Sequence, residues 1–203
     1  MDLFTRVNAV YSSFFGSGPP SRACVAADLP EPYRISLECI AYAENSSSDR
    51  QALHVQGLSY WAPANIGPYS QAVTIQDQRI FISGQIGLIS STLSLPEPQS
   101  LALEASLACQ HVERVIRALQ SNSGGGWEGH FQLALYWMTR YNDLKHVKPA
   151  VDNLVCPILW YIQPFSLIFI FRMLMLQNCF LECPPYLKAL SSRNKLSSIL
   201  ADL

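Results

Sequence analysis

The stretch "PPSRACVAADLP", residues 19–30, sets Arg22 two residues before Cys24, behind a rigid Pro19-Pro20 step. A guanidinium grips a carboxylate through two parallel hydrogen bonds, which makes an arginine fixed on a strand a natural anchor for a small acid. The same triplet also suits the solvated start of a β-hairpin, with Cys24 as ordinary buried packing. Both readings stay open on the residues alone. His111 falls on the polar flank of its helix and reads as solvated rather than catalytic. Gly84 reads as a point where two strands or a ligand approach closely.

The remaining chemistry-bearing residues exclude more than they suggest. The six cysteines (24, 39, 109, 156, 179 and 183) form no CxxC pair, and the four histidines show no ligand spacing. They read as reduced cytosolic thiols without a metal site. "SGGGWEG" (123–129) has no Lys or Ser/Thr to meet a phosphate and follows a helix, so it is not a nucleotide loop. A net charge of −1 argues against nucleic acid, whose binders carry a basic face. Apolar residues make up 49 % of the 203 and charged residues only 14 %, which points to surface buried against partners or to an abnormal segment. The opening "MDLFTRVNAVYSSFF" carries Asp2 and Arg6 and is not expected to be a signal peptide.

These residues must be positioned by a mixed set of elements. Leu3, Val7, Val10, Tyr11 and Phe14 recur at helical spacing, and Gly16, Gly18, Pro19 and Pro20 stop that helix. "RACVAADL" and "YRISLECIAY" alternate and are expected to be two strands joined through Pro30-Glu31-Pro32. "AENSSSDRQ" reads as a polar linker, which places a linker over 43–53. "SQAVTIQDQRIFISGQIGL" predicts strand, Asp-Gln turn, strand. "SLALEASLACQHVERVIRALQ" predicts the best helix, with Ala105, Ala108, Val112, Val115, Ile116 and Leu119 on one stripe. "HFQLALYWMTR" alternates like a strand, and "NDLKHVKPAVDN" suits a short helix that Pro149 starts or weakens. Residues 153–171 carry no charge, but Pro157, Gln163 and Pro164 interrupt them, so a buried strand followed by out-of-place sequence is expected rather than a membrane span.

Two stretches carry a family resemblance. "ANIGPYSQAV…IFISGQIGL" (64–88) resembles the N-terminal signature of the Rid (RidA/YjgF) family, and "FTRVNAVYSSFF…PPSRACVAADLP…RISLECIA" (4–41) resembles its C-terminal signature. With the helix between 100 and 120, the resemblance covers residues 2–42 and 54–163. The order is inverted: the back half of one module (1–42) precedes the front of a second (54–163). Such tandems occur in the long, fungal- and plant-type diphthine–ammonia ligases. The resemblance implies an α+β fold of the Rid/chorismate-mutase-like type, a mixed β-sheet with two helices packed on one face. It also implies a homotrimer, or an intramolecular pseudo-oligomer of Rid-like modules, with clefts between units. The first reading of function is an accessory region of such a ligase, whose parent activity is ATP-dependent amidation of diphthine on elongation factor 2. Nothing in this chain binds ATP, so no cofactor is expected here. The alternatives are an imine/enamine deaminase acting on small 2-imino acids, and a non-catalytic oligomerisation module.

Carried over residue by residue, the resemblance makes Arg22 the carboxylate anchor, Cys24 a cleft thiol and Asn8 the helix residue that borders the cleft. Glu38 becomes the group that positions the hydrolytic water, Tyr69 the cleft tyrosine, and Ser83 with Gln85 the opposite wall. The second module departs from the pattern: Leu159 and Tyr161 stand where Arg and Cys belong, and Lys148 stands near the expected Asn. Residues 164–203 replace the closing hairpin and read as a poorly ordered read-through or mis-spliced tail. The first fragment supplies the parts the second lacks, so the two together resemble one circularly permuted unit in which Arg22 and Tyr69 come close within a single chain.

Overall fold

The computed structural model describes residues 3–122, 124, 131, 133–138 and 140–152, and the backbone of 158–162. The segment expected as a tail, 164–203, lies outside the described residues. The element order is α1 (Phe4–Phe15), β1 (Arg50–Leu53), β2 (Ala72–Ile75), β3 (Arg79–Ile82), α2 (Leu101–Asn122), β4 (Ala134–Met138), α3 (Leu144–Val151) and β5 (Ile158–Ile162), with 3₁₀ turns at Ser47–Asp49 and Tyr141–Asp143. This is an α+β fold. Its strand pairings are of both kinds but lie in two sheets. One is antiparallel in the order β1-β2-β3, and β4 pairs β5 in parallel.

The core forms where the apolar stripes converge. Ala105, Ala108, Val112 and Val115 of α2 are buried with Ala72, Ile82, Ala134, Tyr136, Met138, Val147 and Val151, and Ile116 and Leu119 pack at its margin. The stripe read from the sequence is therefore the buried face of α2, and α3 packs on the same helix. Pro149 lies inside α3, where it removes one backbone donor from the helix. α1 ends where Gly16 turns to φ 52° and its N–H reaches back to the Ser12 carbonyl at 3.0 Å, a conformation that glycine adopts freely.

Three local expectations are corrected. Residues 22–29 and 33–42 are irregular backbone rather than strands. A strand needs a neighbouring chain to accept its ladder, and this segment is tied to the sheet near Pro20 and Arg22, whose carbonyls accept from Ser70 (3.2 Å) and Gly84 (3.1 Å). Arg50–Leu53, read as part of the linker, forms β1, because a capping box between Ser46 and Asp49 starts a short turn that delivers the chain to the edge of β2. The hairpin turn is one residue longer than expected: Gln76 joins Asp77 and Gln78 in it, with Gln76 and Asp77 at φ 51° and 52°.

His111 is the fourth correction. It is fully buried, and its Nε2 lies 2.8 Å from the Leu88 carbonyl, while Nδ1 has no protein partner. Burial pushes its pKa below the ordinary imidazole range; the Leu88 hydrogen bond works the other way, and Arg114 adds to the lowering. The unfolded chain therefore takes up the proton at a higher pH than the folded one. This stabilising contribution is complete above the ordinary imidazole pKa of about 6.5, begins to fall there, and is lost as pH drops through the lowered folded-state pKa. Burial raises the Glu104 carboxyl, which acts in the opposite sense at lower pH. Thermal midpoints measured from pH 8 to 5.5 are expected to fall on acidification, and a His111→Gln variant is expected to show a flatter profile.

Candidate functional site

The site is built where the N-terminal segment crosses the mouth of the β2–β3 sheet. Four buried polar residues fasten it. Ser70 Oγ donates to the Pro19 carbonyl at 2.6 Å, and His54 Nδ1 lies 3.2 Å from the same hydroxyl. Ser83, fully buried, donates from its hydroxyl to the Ser70 carbonyl at 2.5 Å and accepts the Arg22 backbone N–H at 2.9 Å. Gln85 donates to the Ser83 carbonyl at 3.2 Å. Gln71 clamps the approaching loop, accepting from Val55 N–H at 2.7 Å and donating to the Val55 and Pro63 carbonyls. Satisfied polar groups of this kind fix one arrangement, because any misregistration leaves them buried and unpaired.

Above this latch stands the Arg22 side chain, half-buried. Its Nη2 donates to Asn8 Oδ1 at 2.5 Å, and its guanidinium carbon lies 4.5 Å from the centroid of the Tyr11 ring. Asn8 and Tyr11 are one helical turn apart and share a face of α1. Next to the guanidinium is the Gly67-Pro68-Tyr69 turn, held by Asn65 Nδ2, which donates to the Gly67 and Tyr69 carbonyls at 3.0 and 3.2 Å. Burial raises the Tyr69 hydroxyl above its ordinary pKa, while a backbone bond at Ile66 and the Arg22 charge pull it down. Tyr11 is raised by burial, lowered by Arg22 and raised a little by Cys39. Both phenols stay protonated and neutral at pH 7, so Arg22 is the cation of the group.

Arg22, Asn8 and Tyr69 are thus brought together within one chain. Ser83 lies behind the site, where its hydroxyl accepts the Arg22 backbone N–H, and Gln85 is buried next to it, bonded to the Ser83 carbonyl. Cys24 is a half-buried free thiol two residues further on, and Glu38 sits in the exposed stretch 36–41. Tyr11 and Gly67 belong to the group although their residue types did not single them out. The signal available for Tyr11 was its position three residues after Asn8 on the same helix. The set can receive one small anion: a fixed fork of donors, a neutral phenol beside it and a rigid backbone floor. Among the described residues, no three His, Cys, Asp or Glu side chains gather as metal ligands, and no helix is long and apolar enough to cross a membrane.

The chain is 48 % identical over 124 residues to the diphthine–ammonia ligase of Schizosaccharomyces pombe, a match that covers 61 % of this chain and 20 % of that protein. Against the diphthine–ammonia ligase of Saccharomyces cerevisiae it is 38 % identical over 133 residues, covering 59 % and 19 %. A shorter match, 46 % over 57 residues, joins it to the 2-iminobutanoate/2-iminopropanoate deaminase of Mus musculus and covers 28 % and 41 %. The chain therefore spans about a fifth of the length of the ligases it matches. Among solved structures it is similar to RidA from the Antarctic bacterium Psychrobacter (20 % identity, TM-score 0.44, 60 % of this chain and 94 % of the other). The YjgF gene product of E. coli gives 20 % identity and a TM-score of 0.44, over 60 % and 93 %. No protein-family model matches the chain.

Proposed function

We infer that this chain, which contains a Rid-like region related to the diphthine–ammonia ligases, serves as an accessory region of a ligase of that kind in the cytoplasm. The observation that carries the reading is the 48 % identity over 124 residues. The proposed parent reaction is ATP-dependent amidation of diphthine on elongation factor 2. The region's own part is to present the Arg22 group to a small carboxylate and to offer apolar surface for assembly. Tyr33, Leu37 and Ile40 are each more than half exposed, and Phe14 and Phe15 stand out from α1, a surface suited to pairing with further Rid-like modules as a trimer or pseudo-oligomer.

A graft tests this reading. The S. pombe ligase with its matching region deleted is expected to lose diphthamide formation, read by mass spectrometry of elongation factor 2. The same ligase carrying this chain in that place is expected to regain it. A graft that accumulates to the parent level yet leaves elongation factor 2 unamidated would overturn the reading.

The match to the imine deaminases favours a second reading. Arg22 would hold the carboxylate of a 2-imino acid, water would add to the imine carbon, and the C–N bond would then break to give a 2-oxo acid and ammonia. Glu38 would take the proton from the water, with Cys24 at the cleft edge. Ammonia release from 2-iminopropanoate generated in the assay is expected to exceed the uncatalysed rate in the wild type and to fall to background in Arg22→Ala. Equal rates in the two proteins would exclude deamination.

A further inference from the structure

The Arg22 side chain has three close neighbours, Asn8, Tyr11 and Gly67, and two of them are residues with no assigned role. Its guanidinium lies over the Tyr11 ring at 4.5 Å, and a Cβ built at Gly67 would come within 2.9 Å of its Nη2. The same Cβ would lie 3.5 Å from Asn8 Nδ2 and 3.8 Å from Phe4 Cζ. The space above Gly67 is therefore filled by the guanidinium and its helix partners. We propose that Tyr11 and Gly67 are positioning residues that set where Arg22 presents its donors to a carboxylate. Tyr11 supplies a face that holds the cation in one plane; Gly67 supplies a floor low enough for the fork to lie flat. The proposal deepens the Arg22 site and rests on its reading as a carboxylate anchor.

The physical case rests on how an arginine loses affinity. Its long side chain has many rotamers, and every one that must be frozen on binding weakens the complex. Asn8 fixes one Nη through a hydrogen bond and leaves the plane of the guanidinium free to rock. The attraction between a cation and an aromatic face removes that freedom. Gly67 acts through shape alone. Its backbone is not in the left-handed region, so alanine is admissible there, and the nearest atom an added methyl meets is the movable tip of Arg22 rather than main chain. Gly67→Ala is thus a substitution that the fold accepts and the guanidinium does not.

The test uses the whole chain with pyruvate as the carboxylate probe, followed by NMR titration, together with the Arg22 Hδ and Nε–H signals of the free protein. Tyr11→Leu is expected to weaken pyruvate binding about tenfold and to abolish the ring-current shift of the Arg22 signals. Tyr11→Phe, which keeps the ring, is expected to retain both. Gly67→Ala is expected to move the Arg22 signals and weaken binding to a similar degree while leaving the thermal midpoint unchanged. Wild-type affinity in both Tyr11→Leu and Gly67→Ala, with Arg22→Ala impaired, overturns the positioning roles and leaves the anchor standing. Equal pyruvate binding by wild type and Arg22→Ala removes the anchor itself. In that case the Arg22 signals still decide whether Tyr11 and Gly67 hold the side chain, and unshifted signals in Tyr11→Leu overturn the positioning roles too.

Discussion

Arg22→Ala is expected to weaken pyruvate binding by about a hundredfold or more, the loss of two charge-assisted hydrogen bonds. Arg22→Lys keeps the charge without the planar fork and is expected to fall between, about tenfold weaker. The effect is separable from folding for a structural reason. The contact that docks this residue on the sheet runs through its backbone N–H to Ser83 Oγ and its carbonyl from Gly84 N–H, both of which survive any side-chain change. The Arg22→Ala thermal midpoint should therefore stay close to wild type. A large drop in both affinity and midpoint would place Arg22 among the structural residues instead.

The second large effect falls on the core. A Cβ built at Gly87 would stand 2.3 Å from the Glu104 carbonyl oxygen and 2.5 Å from its Cα. Unlike Gly67, the obstruction here is main chain of α2, which carries the buried stripe of the core. An alanine can be admitted only by lifting the first turns of the helix off the segment after β3. Gly87→Ala is accordingly expected to destabilise the fold by about 3 kcal/mol, a fall of roughly 6–12 °C in the thermal midpoint for a domain of this size. A midpoint within about 2 °C of wild type would show that α2 yields without cost. The pair of glycines makes a controlled comparison, since one added methyl moves a side-chain tip at 67 and a helix at 87.

How much of this was legible in the residues varies with the range of the interaction. α2 was legible almost to its ends, because its apolar stripe repeats at 3.6 residues and the same stripe forms the core. The β2–β3 hairpin was legible as well, but its turn was not placed to the residue: Gln76 adopts positive φ without a side chain that favours it, so nothing local marked it. Alternation in 22–29 and 33–42 says which side chains could share a face; it does not say whether a neighbouring edge exists, and the structure provides no strand there. β1 leaves little trace in the sequence, because its signal is a capping box followed by a short mixed segment at a sheet edge.

The site follows the same rule. Arg22, Asn8 and Tyr69 carry their chemistry in their types and in the resemblance, and they do meet. Ser83, expected on a cleft wall with Gln85, also bonds the Arg22 backbone, a contact 61 residues apart in sequence that no local pattern marks. His111 looked solvated from its helix position and is buried by the Leu88 carbonyl, which arrives from 23 residues away. Tyr11 and Gly67 matter through shape and ring face, properties that no residue type announces.

The central claim is that the N-terminal segment completes the Arg22 site on the Gly67-Pro68-Tyr69 turn and the β2–β3 sheet of the same chain. Phe4 of α1 and Gly67 of the turn before β2 report on it most directly, since Phe4 Cζ lies 3.8 Å from the Cβ position of Gly67. A nuclear Overhauser effect between the Phe4 ring and the Gly67 Hα protons, recorded on a mixture of isotope-labelled and unlabelled protein, distinguishes contacts within a chain from contacts between chains. The account predicts a strong effect within the labelled chain. An effect found only between labelled and unlabelled chains, or none at all, would contradict it.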